Sequence, residues 1–135
     1  MRASRQLATA LDDVPVVGSG PVAIADFAGR YFDFSKSSPG LARLTCWEGL
    51  ELGHPVGAQA RALRSANKVS EIRGALPTAS EAAAEDLLLT IVALCHAWVS
   101  SPNVPLVITG TPDEERRRVS IMRTSELLAL DAAAP

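Results

Sequence analysis

Apolar residues recur at three- and four-residue steps along most of this chain, and prolines interrupt the recurrence at regular places. Ile24, Phe27, Tyr31 and Phe34 fall on one helical stripe. Pro21, Pro39, Pro55 and Pro112 follow Gly20, Ser38, His54 and Thr111, which suit an N-cap or a hinge, and proline in a first turn sacrifices no intrahelical hydrogen bond. Thr111-Pro112-Asp113-Glu114 has the form of a capping box, with a hydroxyl at the N-cap and a carboxylate at N3; Thr78 with Glu81 repeats it. Gly53 and Gly74 are placed as terminating glycines, and Ser101-Pro102 closes the segment that Thr78 begins. Together these signals predict helices over 3–13, 21–36, 39–52, 55–73, 79–100 and 112–131. Pro105 to Gly110 reads as a short extended connector, because a lone strand has no partner here, and Ala132 to Pro135 as a fraying tail. The expected fold is all-α: a single-domain bundle of about six helices, with residues 1–20 as an N-terminal helix and hinge.

The helix predicted over 79–100 is unusual, since from Leu87 to Val99 its only polar residues are Thr90 and His96. A helix apolar nearly all round needs cover nearly all round. Leu87, Ile91, Leu94 and Trp98 form one stripe for the core or a pocket, while Asp86, Thr90, Ala93 and Ala97 form a small-residue stripe that lets another helix approach closely. The simplest cover for the second stripe is another copy of the chain; the alternative is burial of both flanks within one monomer. In the last helix, Val119, Ile121, Met122, Leu127, Leu128 and Leu130 cover two neighbouring faces, again more than a monomer surface needs. Ahead of them the acids of Asp113-Glu114-Glu115 can pair with the arginines of Arg116-Arg117-Arg118 three or four residues on, which gives a solvated, self-neutralised face.

Composition narrows the function classes. The chain carries 13 Lys and Arg against 15 Asp and Glu, a formal net charge of -2, so it lacks the electrostatic footprint of a nucleic-acid binder. Two cysteines build no disulfide framework and fit a reducing cytoplasm. The first residues lack the apolar core of a signal peptide, and the run Leu87 to Val99 is short for a membrane span, so neither secretion nor membrane insertion is expected. Val16-Val17-Gly18-Ser19-Gly20 imitates a dinucleotide-binding glycine loop, but Pro15 leaves no strand before it and no acid-terminated second strand follows, so it reads as a hinge. Cys95 and His96 are adjacent and point about 100° apart on a helix, which makes no catalytic dyad. His54 and His96 have no carboxylates at ligand spacing, so no metal site is expected, and no cofactor and no enzymatic activity either.

Pro39-Gly40-Leu41-Ala42-Arg43-Leu44-Thr45-Cys46-Trp47-Glu48 resembles the proline, arginine-leucine and tryptophan-glutamate pattern in the regulatory domain of TetR-family (tetracycline-repressor-like) transcriptional regulators. The aromatic helix ending Tyr31-Phe32-Asp33-Phe34 precedes it, and Asp86-Leu87-Leu88-Leu89 through Trp98, a proline-bounded gap and a last amphipathic helix follow in the family's order. The resemblance runs from Pro21 to Leu130 and makes 21–131 a TetR-like C-terminal regulatory domain. It implies that the helices over 79–100 and 112–131 pair with their copies as a four-helix homodimer interface, and that the preceding helices enclose a ligand cavity.

Combined with the aromatic clustering, that cavity points to Phe27, Tyr31, Phe34, Trp47 and Trp98 as walls for a small apolar or aromatic ligand, with Asn67 and His96 as polar anchors. Packing of the same aromatics into a core is the plain alternative. The dimer face takes Thr90, Ala93, Ala97, Val119, Met122 and Leu127. The family's helix-turn-helix unit is not found in the residues before Pro21, so DNA is expected to be reached only through such a unit elsewhere. A helical interaction module with no ligand, pairing with itself or with a complete regulator, is the competing expectation.

Overall fold

A computed structural model describes residues 10–135. Among them there is a 3-10 turn, Ala10–Asp13, followed by six α-helices: α1 (Pro21–Ser37), α2 (Pro39–Glu51), α3 (Ala58–Ala75), α4 (Glu81–Ser100), α5 (Asn103–Thr109) and α6 (Glu114–Ala133). No strand occurs in this stretch, and the fold is all-α. Of the first predicted helix, residues 3–9 lie outside the described part, and its end forms the 3-10 turn.

Pro21 and Pro39 open α1 and α2 as the sequence suggests. Ser38 alone separates those helices, because the proline after it disfavours the α conformation there and removes the next N–H from the ladder. Gly53 and Gly57, at φ of +69° and +63°, make the bend before α3, so that helix starts after Pro55 rather than on it. Several other boundaries differ from expectation. Gly74 lies inside α3, which ends only where the Leu76 N–H closes on Ile72 O at 2.8 Å. Ser80, not Thr78, caps α4 by accepting from the Ala83 N–H. The Thr78 hydroxyl instead donates to Ala133 O, tying down a terminus expected to fray; Ala132 and Ala133 are helical and pack on the core. In α6 the cap is Asp113, accepting from the Arg116 N–H, two residues later than the capping box at Thr111 implies.

The segment read as an extended connector is the helix α5. Pro102 stands at its N-cap and Pro105 in its first turn, where no N–H is required, and the Gly110 N–H ends it on Leu106 O at 2.8 Å. Proline spacing therefore permits a short helix that a period-based reading takes for a strand.

Helix α4 is the centre of the bundle and touches α1, α2, α3 and α6. By length and composition it is apolar enough to cross a membrane. Its buried residues Ala84, Leu87, Leu88, Ile91 and Cys95 meet Ile24, Phe27 and Phe32 of α1, Ile72 of α3 and Ile121 of α6 in one core, which accounts for part of that composition; Leu89, Ala93 and Ala97 remain exposed. The most extensive pairing is α1 with α6. Small buried residues at four-residue steps, Ser125 and Ala129, follow Ile121 on α6, and α1 answers with Ala25, Ala28 and Gly29. A Cβ on Gly29 would lie 2.8 Å from the Met122 sulfur and 3.0 Å from Arg118 Nη2, so any larger residue there has to push those side-chain ends aside.

A polar clamp fixes the chain ahead of α1. Arg64, Lys68 and Glu71 stand on one face of α3 and hold residues 12, 14 and 16, alternate positions of the passing segment. Arg64 pairs with Asp12 at 2.9 Å, Lys68 Nζ donates to Val14 O at 2.7 Å, and Glu71 Oε1 accepts from the Val16 N–H at 3.0 Å. From α1, Arg30 donates to Pro15 O at 2.6 Å. The glycine-rich stretch 16–20 is thus an anchored entry to α1, with the Gly20 N–H on Ala75 O at 2.8 Å.

Candidate functional site

Four helices and the 3-10 turn leave an open cleft of about 410 Å³ between them. Its α4 side carries Glu85, Leu88, Val92 and His96, which recur at helical steps of three and four residues and so share a face. Helix α3 supplies Arg61, Ser65 and Val69 at four-residue steps, α2 supplies Leu41 and Thr45, α1 supplies Tyr31, and Leu11 closes one end. The lining combines six aliphatic residues with polar and charged ones, a mixture that suits a small-molecule site.

Two of the polar residues that line the cleft form a pair from two helices. Tyr31 Oη and His96 Nε2 are 2.9 Å apart, and the rings stack with centroids 5.8 Å apart and planes 22° from parallel. Burial pushes the Tyr31 phenol well above its ordinary value, with the Cys95 thiol adding to the effect, and burial lowers His96 below the usual imidazole value. Both groups are therefore neutral near pH 7. Cys95 takes no part: its thiol faces Ala28 O at 3.8 Å, and burial, opposed by Arg117 and aided by Asp33, pushes it up to about 12. A thiol held protonated, on a different partner from the adjacent imidazole, is not an activated nucleophile.

Around this pair the charges sort by partner. Arg61 donates to both oxygens of Glu48, at 2.9 and 2.8 Å, and Glu48 also accepts the Val56 N–H at 2.8 Å. Burial alone would raise the Glu48 carboxyl, but the Arg61 and Val56 hydrogen bonds and the Arg61 and His54 charges hold it below the usual carboxylate value. Arg64 is taken by Asp12. Glu85 and Asp86, at the edge of the cleft, form no ion pair among the described residues.

Of the aromatic and polar residues singled out from sequence as pocket walls and anchors, the structure brings Tyr31 and His96 together in the cleft. Phe27 is fully buried and Phe34 half-buried; each ring lies 6.0 Å from that of Tyr31, and they support it from the core instead of bordering the cleft. Trp98 packs edge-on to Phe32 and borders a different groove of about 490 Å³, between the end of α4, α5 and the start of α6. Trp47 and Asn67 are exposed and border neither, because the register of α2 and α3 turns Leu41, Thr45, Ser65 and Val69 inward instead. Those aliphatic and hydroxyl residues carry no chemical signature in the sequence; only their four-residue spacing hinted at a shared face.

The expected dimer-face residues divide as well. On α4, Ala93 and Ala97 are exposed and Thr90 is partly so, while Leu87 and Ile91 are buried. On α6, Val119 and Leu127 are exposed, but Met122 turns its sulfur toward Gly29 of α1 and Arg118. Met122 thus belongs to the α1–α6 contact. The arginine run is likewise not neutralised by the acids ahead of it in the way its spacing suggests: Arg118 binds Asp33 of α1 through Nε and Nη2, both at 3.0 Å, and Glu114 pairs with Lys36 of α1 at 3.2 Å. Inter-helix pairs win because α1 passes alongside with opposite charges in reach.

No curated protein and no solved structure shows a significant match to the chain. The family model for the tetracyclin repressor-like C-terminal domain matches residues 23–126, which takes in α1 to α5 and most of α6, and hence every helix that shapes the cleft. With its all-helical order and that match over most of its length, the chain belongs to the tetracycline-repressor-like C-terminal domain family.

Proposed function

We propose that these residues form the ligand-sensing and homodimerising part of a TetR-type transcriptional repressor acting in the cytoplasm. The observation that carries the reading is the cleft of about 410 Å³, lined by aliphatic and polar side chains and including the Tyr31–His96 pair, in a chain of this family. A small, neutral, largely apolar molecule is its ligand. Tyr31 and His96 both line it, and Phe27 and Phe34 keep the Tyr31 ring in place.

Exposed apolar surface on α4 and α6 supports the same reading. Ala93 and Ala97 of α4 and Val119, Leu127 and Leu130 of α6 leave apolar surface in solvent that a second copy would cover. Contact with an operator is assigned to a helix-turn-helix unit, which the described residues do not include.

The test is a thermal-shift screen of flat neutral aromatics, repeated on Val92→Trp, which fills the cleft. Ligands that raise the Tm of the parent and not of the variant support the sensor. A compound set that shifts both equally, or neither, overturns it.

One feature favours the competing reading of a helical interaction module without a ligand. On α5, Val104, Leu106, Val107 and Ile108 are all exposed, between 50% and 84%, an apolar surface fit for a protein partner. Under that reading the screen finds no cleft ligand, and Val107→Asp abolishes self-association.

A further inference from the structure

The hydrogen bond between Tyr31 and His96 has a direction that the rest of the fold dictates. Tyr31 is 2% exposed, and among the described residues the only partner of its hydroxyl is His96 Nε2. Were His96 the donor, the phenolic proton would have no acceptor, and a buried O–H without a partner is strongly disfavoured. Tyr31 therefore donates, Nε2 accepts, and the proton of the neutral imidazole sits on Nδ1.

That Nδ1–H has no hydrogen-bond partner among the described residues, nor is it among polar atoms sealed from solvent. His96 itself lines the cleft. We infer that His96 Nδ1–H is the specificity donor of the cleft, and that Tyr31 orients it to select a neutral, mostly apolar ligand bearing a carbonyl-type acceptor. The inference rests on the cleft being a ligand site.

Charge at the cleft argues for a neutral acceptor over a carboxylate. Arg61 and Arg64 are already matched by Glu48 and Asp12, whereas Glu85 and Asp86 have no basic partner among the described residues. An anionic ligand would meet two uncompensated carboxylates. Leu41, Leu88 and Val92 offer it only aliphatic contact. A hydrocarbon of the same shape would leave the Nδ1–H desolvated and unpaired, which is how a polar group in an apolar site rejects the wrong ligand.

Two measurements test this on the full chain. The first is long-range 15N–1H correlation of the histidine rings, with His54→Gln to assign the two signals. A protonated Nδ1 and a bare Nε2 on His96 are expected; the opposite tautomer overturns the inference without any ligand. The second is calorimetric titration with 2-acetonaphthone, its isostere 2-isopropylnaphthalene, and 2-naphthoate.

The ketone is expected to bind at least about five-fold more tightly than the other two, the usual worth of one net hydrogen bond. That preference should vanish in Tyr31→Phe/His96→Leu, which removes both partners and so leaves no buried hydroxyl unsatisfied. Equal binding of ketone and hydrocarbon, or a preference that survives the double variant, overturns the role of His96 and leaves the cleft as a ligand site. Binding by none of the three overturns the cleft reading together with this one, whatever the tautomer.

Discussion

Glu48 near the end of α2 and Arg61 in the first turn of α3 are joined through both carboxylate oxygens, and Glu48 bonds back to the Val56 N–H of the turn between them. One carboxylate thus fixes the α2–α3 corner and, through Arg61, one edge of the cleft. Its folded pKa is depressed below 4.5. The unfolded state therefore binds more protons than the folded one around that pH. The contribution of Glu48 is complete above its unfolded pKa and is lost as pH falls through its folded pKa. Glu48→Ala should cost about 1–3 kcal/mol at pH 7. Urea unfolding at pH 7 and pH 3 checks this: the gap between parent and variant should narrow at the lower pH, and a gap independent of pH contradicts it.

For His96 the direction is also downward, but for a base. Burial favours the neutral ring, so stability tied to it is present above the ordinary imidazole pKa and declines as pH falls through the lowered folded value. Protonation also places a proton on Nε2, where Tyr31 already donates. Chemical denaturation from pH 7.5 to 5 should show a loss that Tyr31→Phe/His96→Leu lacks; identical profiles would count against the coupling.

At the α1–α6 contact, a Cβ on Gly29 would meet the Met122 sulfur at 2.8 Å and Arg118 Nη2 at 3.0 Å. Gly29→Ala displaces Met122 and strains the Arg118–Asp33 pair. Gly29→Val, larger and β-branched, should lose about 1–3 kcal/mol. Met122→Ala in the Gly29→Ala background should recover part of the loss, a coupling that a double-mutant cycle measures directly.

Lys68 is 2% exposed, yet it is satisfied by Val14 O and Glu71 and stands 5.4 Å from the Phe27 ring centroid. Lys68→Met keeps the aliphatic stem but orphans Val14 O. We expect about 1–3 kcal/mol of destabilisation. Faster amide exchange at residues 12–16 than in α4 would show that the clamp itself has opened; uniform loss of protection would not.

If α4 and α6 meet their copies, a charge at Ala97 prevents it. The parent should scatter light as a dimer at tens of micromolar, and Ala97→Glu as a monomer of unchanged circular dichroism. A parent of monomer mass rules out the homodimer. The unmodified chain should also give no sequence-dependent gel shift at physiological salt.

Local rules carried the sequence a long way. Proline at a helix start, the aromatic stripe of α1 and the apolar run of α4 are encoded by neighbours within one or two turns, so the all-α order, the helix starts at Pro21 and Pro39 and the family resemblance were legible from residues alone. What depends on partners far along the chain was not. Met122 and Leu127 look alike in sequence, and only the passage of α1 beside α6 buries the sulfur of one against Gly29 and leaves the other in water. The arginines of α6 have acids at helical spacing, but α1 brings Asp33 closer. Among the aromatics, composition cannot say which ring fills the core and which borders a void. Tertiary packing kept Phe27 inside, turned Trp47 out, and set His96 against Tyr31, 65 residues away. Helices form from contacts a few residues apart; a cleft exists only where several of them fail to close, and that is decided by the whole bundle.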